Sequence, residues 1–437
     1  MSLHSAKLTR RSVVALCSAA IGSTVALPQT GRAAGSDSTV TLTFTRAGPS
    51  AVLTRVFNPM LAAFEKKYPN VTVDSIPMGF EEASERFPLM AATGKLPDVA
   101  LPPDSLSGVL GQEGAFLQLK GRLSEDLTKD VPQHLWEFPS ASHGGSLFGV
   151  PANAGALVLW YNAGVFEKAG VDPANPPKTW DEFMRAAEAI KSKTNIHPIG
   201  LNGFARNDVC DLFCAVVASR AHQWYWDRKR GRVKVDKGNA EALDFLRSLV
   251  AMGLTEPSVE SYNRADTRIL LANHKVAMTF DGPWAIGALK GKAATLPADS
   301  PFRTTLMPGL NGRGATSLNI SSWNIAGKTQ HPKLAIQLVE FLSLPKNMLA
   351  HAEGYGVVPV RESMLRSGAF SKQPWKALGA AVLGESYPAK PGVKNLSIVA
   401  KSIPEMIQSV LLGKAKGMEA LETLAKEAKE QDWAAEE

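Results

Sequence analysis

Between residues 39 and 101, three short strand-like runs alternate with two stretches of helical periodicity. Thr39–Thr45 (TVTLTFT) alternates apolar and polar residues as a strand does, and Val52–Tyr68 repeats apolar residues at helical spacing until Pro69-Asn70 breaks it. Val71–Ile76 reads as a second strand. Glu81–Thr93 is helical again, with Glu81, Glu82 and Glu85 near its positive end and Gly94 as its stop. Pro97-Asp98 leads into a buried run, Val99–Leu101. Strands separated by helices predict an α/β fold, its sheet mainly parallel and covered on both faces.

After Gly149 the pattern restarts. Ala156–Tyr161 (ALVLWY) is strand-like, Trp180–Lys193 is a helix introduced by Thr179, and Ala240–Met252 is an amphipathic helix ended by Gly253. Val276–Phe280 and Ser317–Ile325 read as strands, and Leu334–Leu342 and Glu405–Lys429 as helices. No fixed-period repeat or low-complexity linker divides the chain. At 437 residues it is long enough for two cores, which must then be joined by short crossings.

The first 33 residues stand outside the fold. A basic start, an apolar run from Ser12 to Leu27 and small residues around Ala33 form the layout of an export signal, and the run is too short and interrupted to span a bilayer. Thr9-Arg10-Arg11-Ser12-Val13-Val14 resembles a twin-arginine signal, which implies a periplasmic destination. Gly31-Arg32-Ala33 offers small residues at both recognition positions, which predicts cleavage after Ala33, with Ala34 as the alternative. Leu16 ahead of Cys17 argues against a lipid anchor. Four of the seven net positive charges (Lys7, Arg10, Arg11 and Arg32, with no acid) lie in this segment. The remaining excess is too small and dispersed to imply nucleic acid. The two cysteines that remain, Cys210 and Cys214, lie one helical turn apart and read as small buried residues; no metal-ligand spacing surrounds them.

The stretch Lys275–Leu289, KVAMTFDGPWAIGAL, turns from strand to helix through Asp281-Gly282-Pro283-Trp284. Asp281 suits a cap, Gly282 a bend and Pro283 a first helical position, which accounts for the turn without any function. Trp284 then either packs two lobes together or offers a stacking platform, since ligands of open α/β sheets gather at the carboxyl ends of strands.

An ordered series of segments resembles the extracellular solute-binding proteins of family 1, the sugar receptors of ABC importers. It runs from Leu96–Leu119 through Leu147–Ile190, Lys275–Leu289, Ser321–Met348 and Gly354–Met364 to Val410–Ala428. The resemblance implies a two-lobe periplasmic binding protein fold (type II-like), each lobe a mixed or parallel sheet flanked by helices. It places 34–150 with 304–328 in the first lobe and 151–303 with 329–437 in the second, with the first crossing through Val150–Ala156. It further implies a monomer that captures a mono- or oligosaccharide and delivers it to membrane permease subunits, with no cofactor or metal and no catalysis.

A sugar ring has apolar C–H faces and a polar rim, so aromatic plates and hydrogen-bonding side chains are the residues to seek. Trp284 and Trp323 match aromatic positions of the family motifs, each as a plate or as core. Trp136, Trp160 and Trp180 read as core. Arg46 departs from the aromatic or amide common in relatives and suits a hydroxyl, an acidic solute or solvent. Phe80 and Glu81 follow the second strand, Glu81 being equally a helix-start charge. Asp104 suits a hydroxyl. Asn153 suits the solute or a hinge bond. Phe204, Arg206 and Asn207 correspond loosely to a solute-contacting loop. Ser322 and Tyr355 complete the set, and Arg361 reads as a salt-bridge anchor.

Two alternatives remain on sequence grounds. One keeps the fold but takes glycerol phosphate, a glycerophosphodiester or a polyol, with Arg46 or Arg206 as the phosphate partner. The other is a secreted glycan-active enzyme, for which no paired-carboxylate spacing, nucleophile elbow or zinc motif is evident. The chain also lacks the Gly-x-x-x-x-Gly-Lys-Ser/Thr phosphate loop.

Overall fold

The computed structural model describes residues 39–227, 229–291, 296–297, 299–312, 314–391 and 398–430; the expected export segment, 1–33, lies outside them. Two main sheets organise the chain. In the first, the strand order is Ser386–Pro388, Thr316–Ile325, Val99–Leu101, Val40–Ala47, Val71–Met78, with Gly149–Ala156 also paired to Thr316–Ile325. Val40–Ala47 is parallel to both neighbours, whereas Thr316–Ile325 runs antiparallel to Val99–Leu101 and to Gly149–Ala156. The second sheet orders Phe302–Thr305, Val158–Asn162, Val276–Asp281 and His197–Gly200, the first two pairings antiparallel and the last parallel. Both sheets are therefore mixed.

Local chemistry places the elements. Trp180–Lys193 begins where expected: Thr179 Oγ1 accepts from the Glu182 amide at 3.2 Å and the Glu182 carboxylate accepts from the Thr179 amide at 3.1 Å, a reciprocal cap. The helical stretch from Ser50 to Lys67 widens to a π-helical turn at Leu53–Phe57, just ahead of Pro59, which has no amide to donate. The expected C-terminal helix is two helices, Ile403–Leu411 and Gly417–Glu430, with Gly413 at φ 71° between them.

Each sheet has its own core. In the first, Trp323 packs 5.7 Å from Phe44 and 5.7 Å from Phe57, ring centroid to ring centroid. In the second, Trp180 meets Phe183 at 5.4 Å and Phe245 at 4.7 Å. Trp136 and Trp160 are also core residues, and Cys210 and Cys214 are buried and unbridged on the helix Asn207–Ala221.

The chain leaves the first sheet at Ala156 and enters the second at Val158. It returns through Thr316–Ile325, which lies against Gly149–Ala156 along most of its length; Thr316 Oγ1 also donates to the Leu157 carbonyl at 2.6 Å. The register shifts between Ser321 and Ser322, leaving Ala152 unopposed, a bulge that bends the paired strands where they cross.

These pairings differ from the expected boundaries at 304 and 328. Phe302–Thr305 is part of the second sheet, so the return lies beyond 305. The helices Pro332–Leu342 and Pro345–His351 pack in the first core, Phe341 against Phe64 at 5.5 Å and His351 against Phe57 at 4.8 Å. Amphipathic periodicity shows that a helix buries one face; it does not say against which sheet.

Candidate functional site

Strand carboxyl ends from both sheets converge on one cavity of about 530 Å³, within the usual range for small-molecule sites of roughly 300–1,000 Å³. Arg46 and Ala47 end the first strand, Phe80 follows the second, Leu101 ends the third, and Pro102 and Asp104 follow it. From the other side come Trp284, after Val276–Asp281, Asp211 on Asn207–Ala221, and Arg264 and Arg268 on Arg264–Ala272. The crossing strands supply Asn153, Gly155, Asn319 and Ser321, and Tyr355, Val357 and Lys390 complete the lining.

Trp284 is half-buried, and its indole rests on the backbone of the crossing strand. A Cβ at Gly155 would stand 2.1 Å from indole Cζ3, and one at Gly282 would stand 2.7 Å from Cζ2, so only glycine admits the ring at either position. The Arg264 guanidinium lies 4.9 Å from the ring centroid. Asp281 is not a helix cap. The helix starts later, at Ala285–Leu289, with no side-chain cap. The buried Asp281 carboxylate instead accepts two bonds from Arg268, at 2.7 and 3.0 Å, and one from the Gly282 amide.

Beside the indole is a charge cluster built on Asp211, which is fully buried. Its carboxylate meets Arg264 Nη1 at 2.8 Å and Lys390 Nζ at 3.0 Å, and accepts from Asn319 Nδ2 at 3.2 Å. Burial opposes ionisation of Asp211, yet Lys390 and Arg264 together hold its carboxyl below the usual range. Burial likewise works against Lys390, but Asp211 and Asp104 keep its ammonium above the ordinary lysine value. Asp104 is pushed the other way: burial raises its carboxyl, with Lys390 only partly offsetting it.

The expected site residues divide by location. Arg46, Phe80, Asp104, Asn153, Trp284 and Tyr355 line the cavity. Trp323 and Ser322 do not. Trp323 shares a strand face with Asn319 and Ser321, but by residue 323 the strand has run beneath the Phe44–Phe57 cluster, leaving the indole 2 % exposed. Ser322 points to the opposite face and donates to Ser140 Oγ at 3.2 Å. Glu81, Phe204, Arg206 and Asn207 lie outside the lining and are solvent-exposed. Glu81 and Arg206 approach each other at 3.9 Å, a contact worth about 0–1 kcal/mol at such exposure. Arg361 lies elsewhere as a buried anchor, bonded to Asp126 and Asp130 and donating to the Ser343 carbonyl.

Sequence reasoning missed Asp211, Arg264, Arg268, Lys390, Asn319, Ser321 and Gly155. The signal for Asp211 was a single carboxylate inside the apolar run Val209–Ala218, where a charge needs partners. Arg264 and Arg268, four residues apart behind the Asn263 cap, share one helix face. Among the described residues no cluster of three metal-ligating side chains occurs.

Comparison with known proteins agrees with this architecture. A family model described as bacterial extracellular solute-binding protein matches residues 59–377. An uncharacterised ABC transporter extracellular-binding protein of Pyrococcus horikoshii is 27% identical over 339 residues, covering 73% of this chain and 75% of the relative. The sugar-binding protein MalE of Xanthomonas citri superposes with TM-score 0.77 at 21% identity, covering 90% of this chain and 97% of that one. An ABC transporter solute-binding protein of Thermotoga lettingae, bound with α-D-tagatose, gives TM-score 0.74 at 24% identity, with coverage of 90% and 99%. The fold is thus the two-lobe binding-protein fold, with the cavity between lobes that the crossing strands join. On the family match, which spans most of its length, this chain belongs to the bacterial extracellular solute-binding proteins.

Proposed function

We propose that this protein is the periplasmic receptor of an ABC importer: it captures a carbohydrate between its lobes and delivers it, chemically unaltered, to the membrane permease subunits. The observation that carries this reading is the half-buried Trp284 indole on the wall of a cavity that Asp104, Asn153, Asn319 and Ser321 also line. An aromatic plate suits the C–H face of a sugar and the polar groups suit its hydroxyl rim. The names of the Xanthomonas and Thermotoga proteins, one called sugar-binding and one holding tagatose, support the same solute class.

The groups on the cavity wall come from both sides, so a bridging solute binds best when the lobes are closed. Rotation about the crossing strands exchanges open and closed forms, and the solute shifts the population by its differential affinity for the closed one. Hydroxyls that match the rim keep every buried polar group paired; a mismatched isomer leaves one unpaired, which is the source of selectivity.

The test is a thermal-shift screen of the mature protein against mono-, di- and trisaccharides, polyols and glycerophosphodiesters, followed by calorimetry and product analysis of any hit. A concentration-dependent stabilisation by a sugar, with the sugar recovered intact, is the expected result. Stabilisation by glycerophosphodiesters alone, or conversion of the hit, would replace this reading.

A further inference from the structure

We propose that the solute carries an anionic group, a carboxylate or a phosphate, and that Arg46 receives it. The inference rests on the carbohydrate reading of the cleft and narrows it to acidic sugars.

Arg46 is 2 % exposed and borders the cavity at the end of its strand, yet Nε and Nη1 have no hydrogen-bond partner, and among the described residues no carboxylate pairs with it. Its guanidinium lies 4.5 Å from the Tyr355 ring centroid and 5.6 Å from that of Phe57. These rings hold the plane, and a side-chain bond to Tyr355 answers only part of the fork, leaving Nε and Nη1. Gly48, at φ 132°, makes room for it: a Cβ there would stand 2.8 Å from Nη1.

The other cations of the cavity are already compensated. Arg264 and Lys390 share Asp211, and Arg268 is held by both oxygens of Asp281. Arg46 is therefore the cation left over, in surroundings where an unpaired charge is costly to keep. Asp211 offers little repulsion to an incoming anion, since Arg264 at 2.8 Å and Lys390 at 3.0 Å neutralise it. A guanidinium is a planar fork matched to two oxygens of a carboxylate or phosphate, and a sugar hydroxyl engages it more weakly.

Calorimetry on matched ligands tests this. Uronic acids and their oligomers form one arm, sugar phosphates a second, and the neutral parent sugars the reference. At least one acidic member should bind about tenfold or more tightly than its parent, with the ratio shrinking as salt rises from 20 to 200 mM. Arg46→Gln should bring the ratio toward one, and Arg46→Lys should keep part of it. The arm that shows the preference identifies carboxylate or phosphate as the source. A neutral parent that binds as tightly as its acid, or a preference untouched by Arg46→Gln, overturns the inference and leaves the carbohydrate reading standing. Binding of no sugar in any arm overturns both. Should Arg46→Gln fail to fold, the wild-type ratio and its salt dependence still decide.

Discussion

The six-membered edge of the Trp284 indole occupies the space a side chain would take at Gly155. This places an aromatic plate that follows a strand of the second sheet directly on a strand that crosses between the lobes. Gly155→Ala adds one carbon in that space. The variant should fold with a penalty of about 1–3 kcal/mol from overpacking and lose solute affinity because the indole is displaced. Calorimetry against the ligand from the screen, with denaturant unfolding in parallel, checks both parts.

Trp284 and Trp323 should respond oppositely to alanine. Trp323 is closed in by Phe44 and Phe57, so Trp323→Ala should cost about 3–5 kcal/mol of stability. Trp284 faces the cavity; its loss should cost affinity of about tenfold with a much smaller fall in stability. Unfolding midpoints and dissociation constants for the two variants, measured side by side, separate the roles.

The contrast shows what the sequence could carry. Both tryptophans sit in family-like motifs, and strand alternation puts Trp323 on the same face as Ser321, which does reach the cavity. What separates them is how far along the strand the Ser50–Lys67 helical stretch covers that face, a tertiary fact with no local signature. Periodicity and capping found the elements, as at Thr179 and Trp180, because those forces act within a few residues. They could not assign Pro332–Leu342 to the first core, nor bring Asp211, Arg264 and Lys390 together from three distant segments. Arg46, Asp104 and Trp284 were legible because each directly follows or ends a strand, where the fold class alone predicts a ligand site.

Asp211→Asn tests the charge cluster. The substitution keeps shape but strands Arg264 and Lys390 without their shared carboxylate. Removing one partner from a buried ion group costs about 3–5 kcal/mol, so the variant should unfold at clearly lower denaturant. The wild-type contribution has a pH sense as well. Because the native carboxyl is held below its unfolded value, its stabilisation is present above about pH 4 and is lost as acid protonates it below that. Denaturant unfolding of wild type and variant at pH 7 and pH 3.5 should show the gap between them narrowing at the lower pH.

His351 gives a second pH dependence in a separate window. Its ring packs edge-on against Phe57 at 4.8 Å and stacks with Tyr355 at 6.0 Å, and Nε2 has no hydrogen-bond partner. Burial first, and then the nearby Arg46 guanidinium, lower its pKa to about 3. An unfolded histidine titrates near 6.5, so between these values the unfolded chain takes up a proton that the native state refuses. His351 therefore leaves stability intact above about pH 6.5 and erodes it as pH falls toward 3, with a limiting slope of about 1.4 kcal/mol per pH unit. His351→Phe removes the titrating group while keeping a flat ring. Its stability should fall less steeply than the wild type's between pH 6 and 4.5, a range above the window in which the Asp211 contribution is lost. Parallel slopes for the two proteins across that range would mean that the native fold accepts a charged imidazole beside Arg46, against the packing described here.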